Sequence, residues 1–183
     1  MSVLKVFSVD QAQTLETVED YDRISTRLHE AGVLFEGWRA DRTLTEDAGQ
    51  DEVISAYRQS VDRLMEDYGF QSVDVVALRP DHPDRVALRQ KFNNEHTHSE
   101  FEVRFFVEGK GLFYIHQGDK VYGVMCEQGD LISVPANTKH WFDMGAAPSF
   151  KCIRLFTNPE GWMAQFTGDT IATRFPVFEQ FCA

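Results

Sequence analysis

Two periodicities of apolar residues divide this chain of 183 residues. In the N-terminal part, apolar side chains recur every three or four positions, which is the period of an amphipathic helix. This pattern predicts helices over Asp20–Ala31 and Asp51–Tyr68, and a weaker pattern predicts a third over Asp81–Gln90. The first two predicted helices are followed by Gly32 and Gly69, and glycine is a common residue at the end of a helix.

Short β-branched and aromatic runs, separated by turn residues, dominate the remainder of the chain and predict β-strands. The main predicted strands are Met1–Val9, Ser72–Leu78, Glu102–Val107, Leu112–His116 and Val121–Cys126. Gly109-Lys110-Gly111 and Gly118-Asp119 separate the last three strands, and the second of these is a two-residue hairpin signal. Pro135 is expected to end a further apolar strand, because proline cannot donate to a β-ladder.

The domain organisation follows from these elements. No internal repeat, low-complexity tract or linker separates the helical part from the strands, so we expect one domain over residues 1–183. The fold class is mainly β with α. An antiparallel β-barrel and C-terminal tail would occupy residues 71–183, and residues 1–70 would add a strand and two or three helices packed on the barrel.

Four residues have the spacing expected of ligands for one divalent metal: His96, His98, Glu102 and His140. A His-x-His sequence in an extended segment places both imidazoles on one face, because side chains alternate along a strand. Glu102 keeps the same parity, and a series of antiparallel strands would return His140 to the two histidines. Three imidazoles and a carboxylate suit Fe, Ni, Zn or Mn. The sequence therefore predicts a metal centre.

Arg104 is the candidate catalytic residue beside this centre. It lies two residues after Glu102, so both side chains share one strand face. Its planar, permanently charged head suits the binding of an anionic substrate at the metal. Aromatic residues in a barrel usually pack in the core, but three are candidates for lining the substrate pocket: Phe92, Phe106 and Phe142.

Other polar and aromatic residues near the motifs are expected to have ordinary roles. Trp141 and Trp162 are expected to pack in the core. Glu95 points away from His96 by parity, and Glu100 lies in the adjacent turn. Either could contact a metal ligand, but both are expected to be solvated carboxylates.

Charge and cysteine content restrict the partners and the compartment. A net charge of −11 argues against nucleic acid and against an anionic membrane surface, since both require basic patches. No run is apolar and long enough to span a membrane. Three scattered cysteines without a Cys-x-x-Cys motif indicate a reducing compartment, so we expect a cytoplasmic protein, with a monomer as the default state.

The two histidine-containing motifs resemble those of the cupin superfamily, whose small β-barrels carry a metal in the barrel mouth. The matching positions are His96, His98, Glu102 and Gly109 in the first motif and Gly129, Pro135 and His140 in the second. Gln90 stands where a glycine is usual, while Asn137 and Met144 replace a usual glycine and asparagine. These departures concern turns and lie outside the ligand set.

Longer stretches are similar to the acireductone dioxygenase family within the cupins. They are Val76–Pro80, Asn94–His98, Glu102–Gly109, Val134–Asp143 and Arg154–Trp162. This resemblance implies that His96, His98, Glu102 and His140 hold one Fe(II) or Ni(II) ion per chain. It also implies that Arg104 helps to keep the substrate as a dianion.

The implied reaction belongs to methionine salvage and uses dioxygen to cleave acireductone, 1,2-dihydroxy-5-(methylthio)pent-1-en-3-one. The family gives formate and 4-methylthio-2-oxobutanoate with iron, and formate, carbon monoxide and 3-(methylthio)propanoate with nickel. Two alternatives share the ligands but not the flanking sequences. One is another cupin metalloenzyme, such as a different dioxygenase or an isomerase, and the other is a non-catalytic cupin that binds a small ligand or stores metal.

Overall fold

The structure is a computed structural model that describes residues 1–40, 42, 44–45, 47–158 and 163–182. Its strands are β1 (Val3–Ser8), β2 (Thr14–Val18), β3 (Leu34–Gly37), β4 (Ser72–Leu78), β5 (His96–Thr97), β6 (Glu102–Gln117), β7 (Lys120–Glu127), β8 (Asp130–Val134), β9 (Lys139–Asp143), β10 (Phe150–Phe156) and β11 (Gln165–Phe166). Its α-helices are α1 (Tyr21–Glu30), α2 (Gln50–Ala56), α3 (Arg58–Tyr68), α4 (Arg85–Phe92) and α5 (Phe178–Phe181). A 3₁₀ helix spans Ile171–Arg174.

The strands form two antiparallel layers that share β6. One layer has the order β11-β5-β9-β6-β7-β1-β2, and the other joins β4, β10, β6, β8 and β3. Apolar side chains of both layers, among them Phe113, Ile132 and Phe150, form one buried cluster between them. Strand pairing does not close into a ring within the described residues. The prediction of a mainly β, antiparallel fold with helices is confirmed.

The predicted turn at Gly109-Lys110-Gly111 is wrong, because β6 runs through it. The first part of β6 pairs with β8 and β10, and the part from Lys110 onward pairs with β7. Gly109 has φ +75° at this change of layer, and a Cβ there would collide with the Ser149 carbonyl oxygen. The glycine thus marks a bend within one long strand. The hairpin at Gly118-Asp119 is confirmed, with Gly118 at φ +61°.

The predicted helix over Asp51–Tyr68 is two helices, α2 and α3, separated at Tyr57. Tyr57 has φ −109° and packs edge-on against Phe105 of β6, with ring centroids 5.1 Å apart. Val53 and Val61 lie in the same buried cluster as Tyr57. The apolar periodicity therefore identified the buried face, although it could not detect a one-residue interruption.

The other two predicted helices are present with adjusted bounds. Asp20 caps α1 by accepting a hydrogen bond from the Arg23 backbone N–H at 3.0 Å. Helix α4 begins only at Arg85, since the preceding residues around Pro83 form a turn. In the part of the chain that the structure describes, no helix is long and apolar enough to cross a membrane.

Candidate metal centre

Four side chains meet at one end of the shared core, three from neighbouring strands and His98 from the loop after β5: His96, His98, Glu102 and His140. Their nitrogen and oxygen ligand atoms all lie within 4.8 Å of one another, and all four residues are buried. His96 of β5 is the direct antiparallel partner of His140 of β9. Glu102 opens β6, which also pairs with β9. The four predicted ligands are therefore brought together.

Local backbone geometry holds the two motifs side by side. β8 ends before Pro135, and the turn that follows places Asn137 at φ +61°. The backbone N–H of Asn137 donates to the His98 carbonyl oxygen at 2.7 Å, which joins this turn to the loop after β5. Asn137, in this left-handed conformation, thus helps to set the distance between the two histidine motifs.

Backbone carbonyl groups orient two of the imidazoles. His96 Nδ1 lies 2.6 Å from the Asn94 carbonyl oxygen, and His140 Nδ1 lies 2.7 Å from that of Thr138. A carbonyl oxygen only accepts, so both Nδ1 atoms must carry the proton. The Nε2 atoms of the neutral rings consequently present lone pairs to the centre of the cluster. Histidines that bind metals are commonly oriented in this way.

The Nε2 lone pair of His140 faces a carboxylate instead of a hydrogen-bond donor. His140 Nε2 lies 3.1 Å and His98 Nε2 lies 2.9 Å from Glu102 Oε2. With neutral His140, two acceptor atoms face each other at hydrogen-bonding distance inside the protein. Such an arrangement is unfavourable by itself and is stabilised by a cation between the atoms. This donor set fits a divalent metal.

The protonation states also suit metal binding. Burial, reinforced by neighbouring His140, lowers the pKa of His96 to about 4. Burial alone would raise the pKa of Glu102, but the nearby Arg104 guanidinium holds it well below its usual range. Near neutral pH the imidazole is therefore uncharged and the carboxylate is ionised, as metal ligands must be.

Arg104 lies where strand parity placed it. Its Nε donates to Glu102 Oε1 at 2.8 Å, and its side chain is almost fully buried. The guanidinium also stands over the rings of Phe142 and Phe113, at 4.7 and 5.6 Å from their centroids. Two aromatic faces and one carboxylate thus fix a permanent positive charge beside the ligand cluster.

Comparison with known proteins identifies the family. Residues 6–164 match the model of the ARD/ARD' family. Acireductone dioxygenase from Methylococcus capsulatus is 55% identical over 99% of this chain and 97% of its own length, and that from Aquifex aeolicus is 54% identical over 98% of both. A solved acireductone dioxygenase from Bacillus anthracis, with a cadmium ion in its active centre, is 30% identical. It superimposes with a TM-score of 0.79 over 91% of this chain and 98% of its own.

The chain belongs to the ARD/ARD' family.

For a member of this family, the cavity above the ligand cluster is the expected substrate site. It has a volume of about 510 Å³. Phe92 and Phe142 are among its lining residues, together with Arg104. Phe106 is not among them, because it lies two residues further along β6 than Arg104 and is fully buried among Phe142 and Phe150 in the core. Phe106 shares a strand face with Arg104, but two residues along a strand add roughly 7 Å of depth.

Several residues of the cavity wall were not predicted. Lys91 and Arg154 bring positive charge, while Met163, Ala164 and Phe166 form an apolar side from the C-terminal part of the chain. β11, which contains Phe166, is only two residues long and has no periodicity that could have indicated a strand. The long matching stretch ending at Trp162 was the available signal that this region belongs to the site. Trp162 itself lies outside the described residues.

The two neighbouring glutamates differ from the expectation of solvated carboxylates. Glu95 is 1% exposed and bonds to His116 and Thr167, so the prediction of a solvated side chain is wrong. Glu100 is half-buried and accepts a hydrogen bond from the Thr157 hydroxyl. Trp141 packs as predicted, stacked on Tyr114 with ring centroids 4.9 Å apart.

Proposed function

We propose that this site cleaves acireductone with dioxygen, as its relatives named acireductone dioxygenase do. The observation that carries the proposal is the buried cluster of three histidines and one glutamate at the base of a cavity that also contains Arg104. The family uses iron or nickel, and the four side chains provide a site for one ion per chain. The products are formate and 4-methylthio-2-oxobutanoate with iron, or formate, carbon monoxide and 3-(methylthio)propanoate with nickel.

The charges of the cavity wall favour an anionic substrate. Lys91, Arg104 and Arg154 line the cavity, although the chain as a whole has a net charge of −11. Arg154 is paired with Asp74 through two hydrogen bonds of 2.8 and 2.6 Å, whereas Arg104 is paired with the ligand Glu102. The positive charge at the site thus counteracts the repulsion between the negatively charged protein and an anionic ene-diolate.

Arg104 is the residue that we place on the substrate. Its buried charge beside the metal ligands favours the deprotonated ene-diol over the neutral form, since a nearby opposite charge stabilises the ionised state. When bound, the iron or nickel ion adds Lewis acidity that lowers the pKa of the same hydroxyl groups. Phe92 and Phe142 supply apolar walls that exclude water from the reacting carbons and strengthen these electrostatic effects.

Oxygen consumption with acireductone is the direct test of this function. Protein reconstituted with iron should consume oxygen in the presence of acireductone, and the His140→Ala variant prepared in the same way should not exceed the metal-free background. A metal-loaded protein that consumes no oxygen with acireductone would favour one of the alternatives, a different cupin metalloenzyme or a non-catalytic binding protein.

We further propose that the chain works as a monomeric, single-domain protein of the cytoplasm, with no nucleic acid or membrane as partner. Support for one domain comes from Ile24 and Leu28 of α1, which pack in the same cluster as residues of both strand layers. Cys126 and Cys152 are buried free thiols in the core, which is compatible with a reducing compartment. Light scattering coupled to size-exclusion chromatography should give the mass of one chain, 21.0 kDa, and a mass twice as large would contradict the monomer.

A further inference from the structure

Glu95 is a buried carboxylate that connects three parts of the chain next to the metal ligands. Its side chain is 0% exposed, and its Oε2 lies 2.6 Å from His116 Nδ1 on β6. Its Oε1 accepts a hydrogen bond from the Thr167 hydroxyl at 2.9 Å. Because Glu95 directly precedes β5, these contacts attach the ligand-bearing strand both to β6 and to the C-terminal part of the chain.

Thr167 completes this connection from the other side. Its backbone N–H donates to the Glu95 carbonyl oxygen at 3.1 Å, and its hydroxyl accepts from the Asp169 N–H at 3.2 Å. Asp169 in turn accepts from the Ile171 N–H at 2.9 Å, and Ile171 is buried in the core. The segment that ends at Thr167 is therefore fastened to Glu95, next to β5, and through the residues that follow it to the core.

The residue immediately before Thr167 covers a metal ligand. Phe166 pairs with His96 in the β11–β5 ladder, and the two rings meet edge to face with centroids 5.8 Å apart. Phe166 also lines the substrate cavity and is 51% exposed, so it lies between the imidazole and solvent. A strand of two residues has little stability by itself. The position of Phe166 consequently depends on contacts outside the strand.

We propose that Glu95 and Thr167 form a latch that holds Phe166 against His96 and so slows the release of the bound metal. Loss of the Thr167 hydroxyl leaves the four ligands in place but lets the Phe166 ring move away from His96. Water and chelators then reach the His96 side of the metal centre. Glu95 and Thr167 are thus positioning residues, and they act through Phe166.

The release rate of Ni(II) from the loaded protein tests this latch. Nickel-loaded protein is mixed with excess 4-(2-pyridylazo)resorcinol, and the absorbance of the nickel complex is followed with time. Thr167→Val removes the hydroxyl with little change of shape and should release nickel roughly three- to tenfold faster than the wild type, as expected for one lost hydrogen bond. Thr167→Ser keeps the hydroxyl and should release nickel at nearly the wild-type rate.

Two further variants distinguish an effect of the latch from a general loosening of the C-terminal part of the chain. Thr173→Val makes the same substitution at an exposed position whose hydroxyl bonds only locally, to the Thr170 carbonyl oxygen, and should leave the release rate unchanged. Phe166→Ala should accelerate release by itself. Adding Thr167→Val to it should bring little further change, because the hydroxyl acts through the ring.

Three results would overturn the proposal: wild-type release from Thr167→Val, equal acceleration by the valine and serine variants, or additive effects of Phe166→Ala and Thr167→Val. Thermal unfolding of each variant shows that it is folded. The proposal rests on the metal site of the proposed function and not on its substrate. Nickel release is measured without acireductone, so a protein inactive on that compound would leave this test intact.

Discussion

Replacement of Arg104 should remove activity without removing the metal. Arg104 Nε lies 2.8 Å from Glu102 Oε1, and the buried guanidinium is held over Phe142. Losing one preorganised donor to a charged reacting group usually lowers kcat about 10²- to 10³-fold, which corresponds to roughly 3–4 kcal/mol of transition-state stabilisation. We expect a decrease of that size for Arg104→Ala.

The lysine variant distinguishes charge from geometry. The ammonium ion introduced by Arg104→Lys would carry the charge but could not reproduce a planar fork that contacts Glu102 while stacking on an aromatic ring. This variant should therefore recover less than about a tenth of the lost activity. Arg58→Ala, at an exposed position on α3, is the matched control and should behave as the wild type.

Oxygen uptake with acireductone, paired with elemental analysis of the same samples, is the appropriate assay. The expected outcome is a full metal content with a strongly decreased kcat for Arg104→Ala. Activity close to that of the wild type would refute the assignment. A parallel loss of metal and activity would show instead that Arg104 serves only to hold Glu102.

Three further perturbations have expected outcomes. His98→Ala should lose most of the bound metal by elemental analysis, because three ligands remain, and full occupancy would count against the ligand assignment. Arg89→Ala leaves the buried carboxylate of Asp143 without its bidentate partner, at 2.7 and 3.0 Å, and should lower stability by about 3 kcal/mol, or Tm by roughly 6–12 °C. An unchanged Tm would show that the backbone donors to Asp143 suffice. Burial raises the pKa of Asp130 to about 6, above its unfolded value, so the ionised group opposes folding. The Asp130→Asn variant lacks this ionised group, so its unfolding free energy should exceed that of the wild type by an amount that grows from about pH 4 to about pH 6 and then stays at about 1–3 kcal/mol. A difference that shrinks with rising pH would contradict this sign.

The metal ligands could be predicted from sequence because their placement depends on local rules. Period-two spacing predicted a shared face for His96, His98 and Glu102. Although His98 lies in the loop after β5, the antiparallel succession of strands brings all three to His140. The bounds of β4 also agree with the predicted strand Ser72–Leu78, since this largely apolar run has Gly69 before it and Pro80 after it.

Features that depend on long-range packing could not be predicted. Nothing near Glu95 in sequence indicates its two partners, which lie 21 and 72 residues away. The bend at Gly109 resembles a turn signal, because both use a glycine with positive φ, and only the pairing of β6 with two layers distinguishes them. Phe106 shows the same limit, since parity specifies the face of a strand but not the depth of a cavity.

The dependence of the products on the metal is the most direct test of the central claim that this chain is a metal-dependent acireductone dioxygenase. Three imidazoles and one carboxylate accept both Fe(II) and Ni(II), so the same apo-protein can be loaded with either ion. Each form is given acireductone and oxygen, and the headspace gas is assayed for carbon monoxide. The account predicts carbon monoxide from the nickel form alone, with 4-methylthio-2-oxobutanoate from the iron form. Identical products from two fully loaded, active forms, or no turnover by either form, would contradict it.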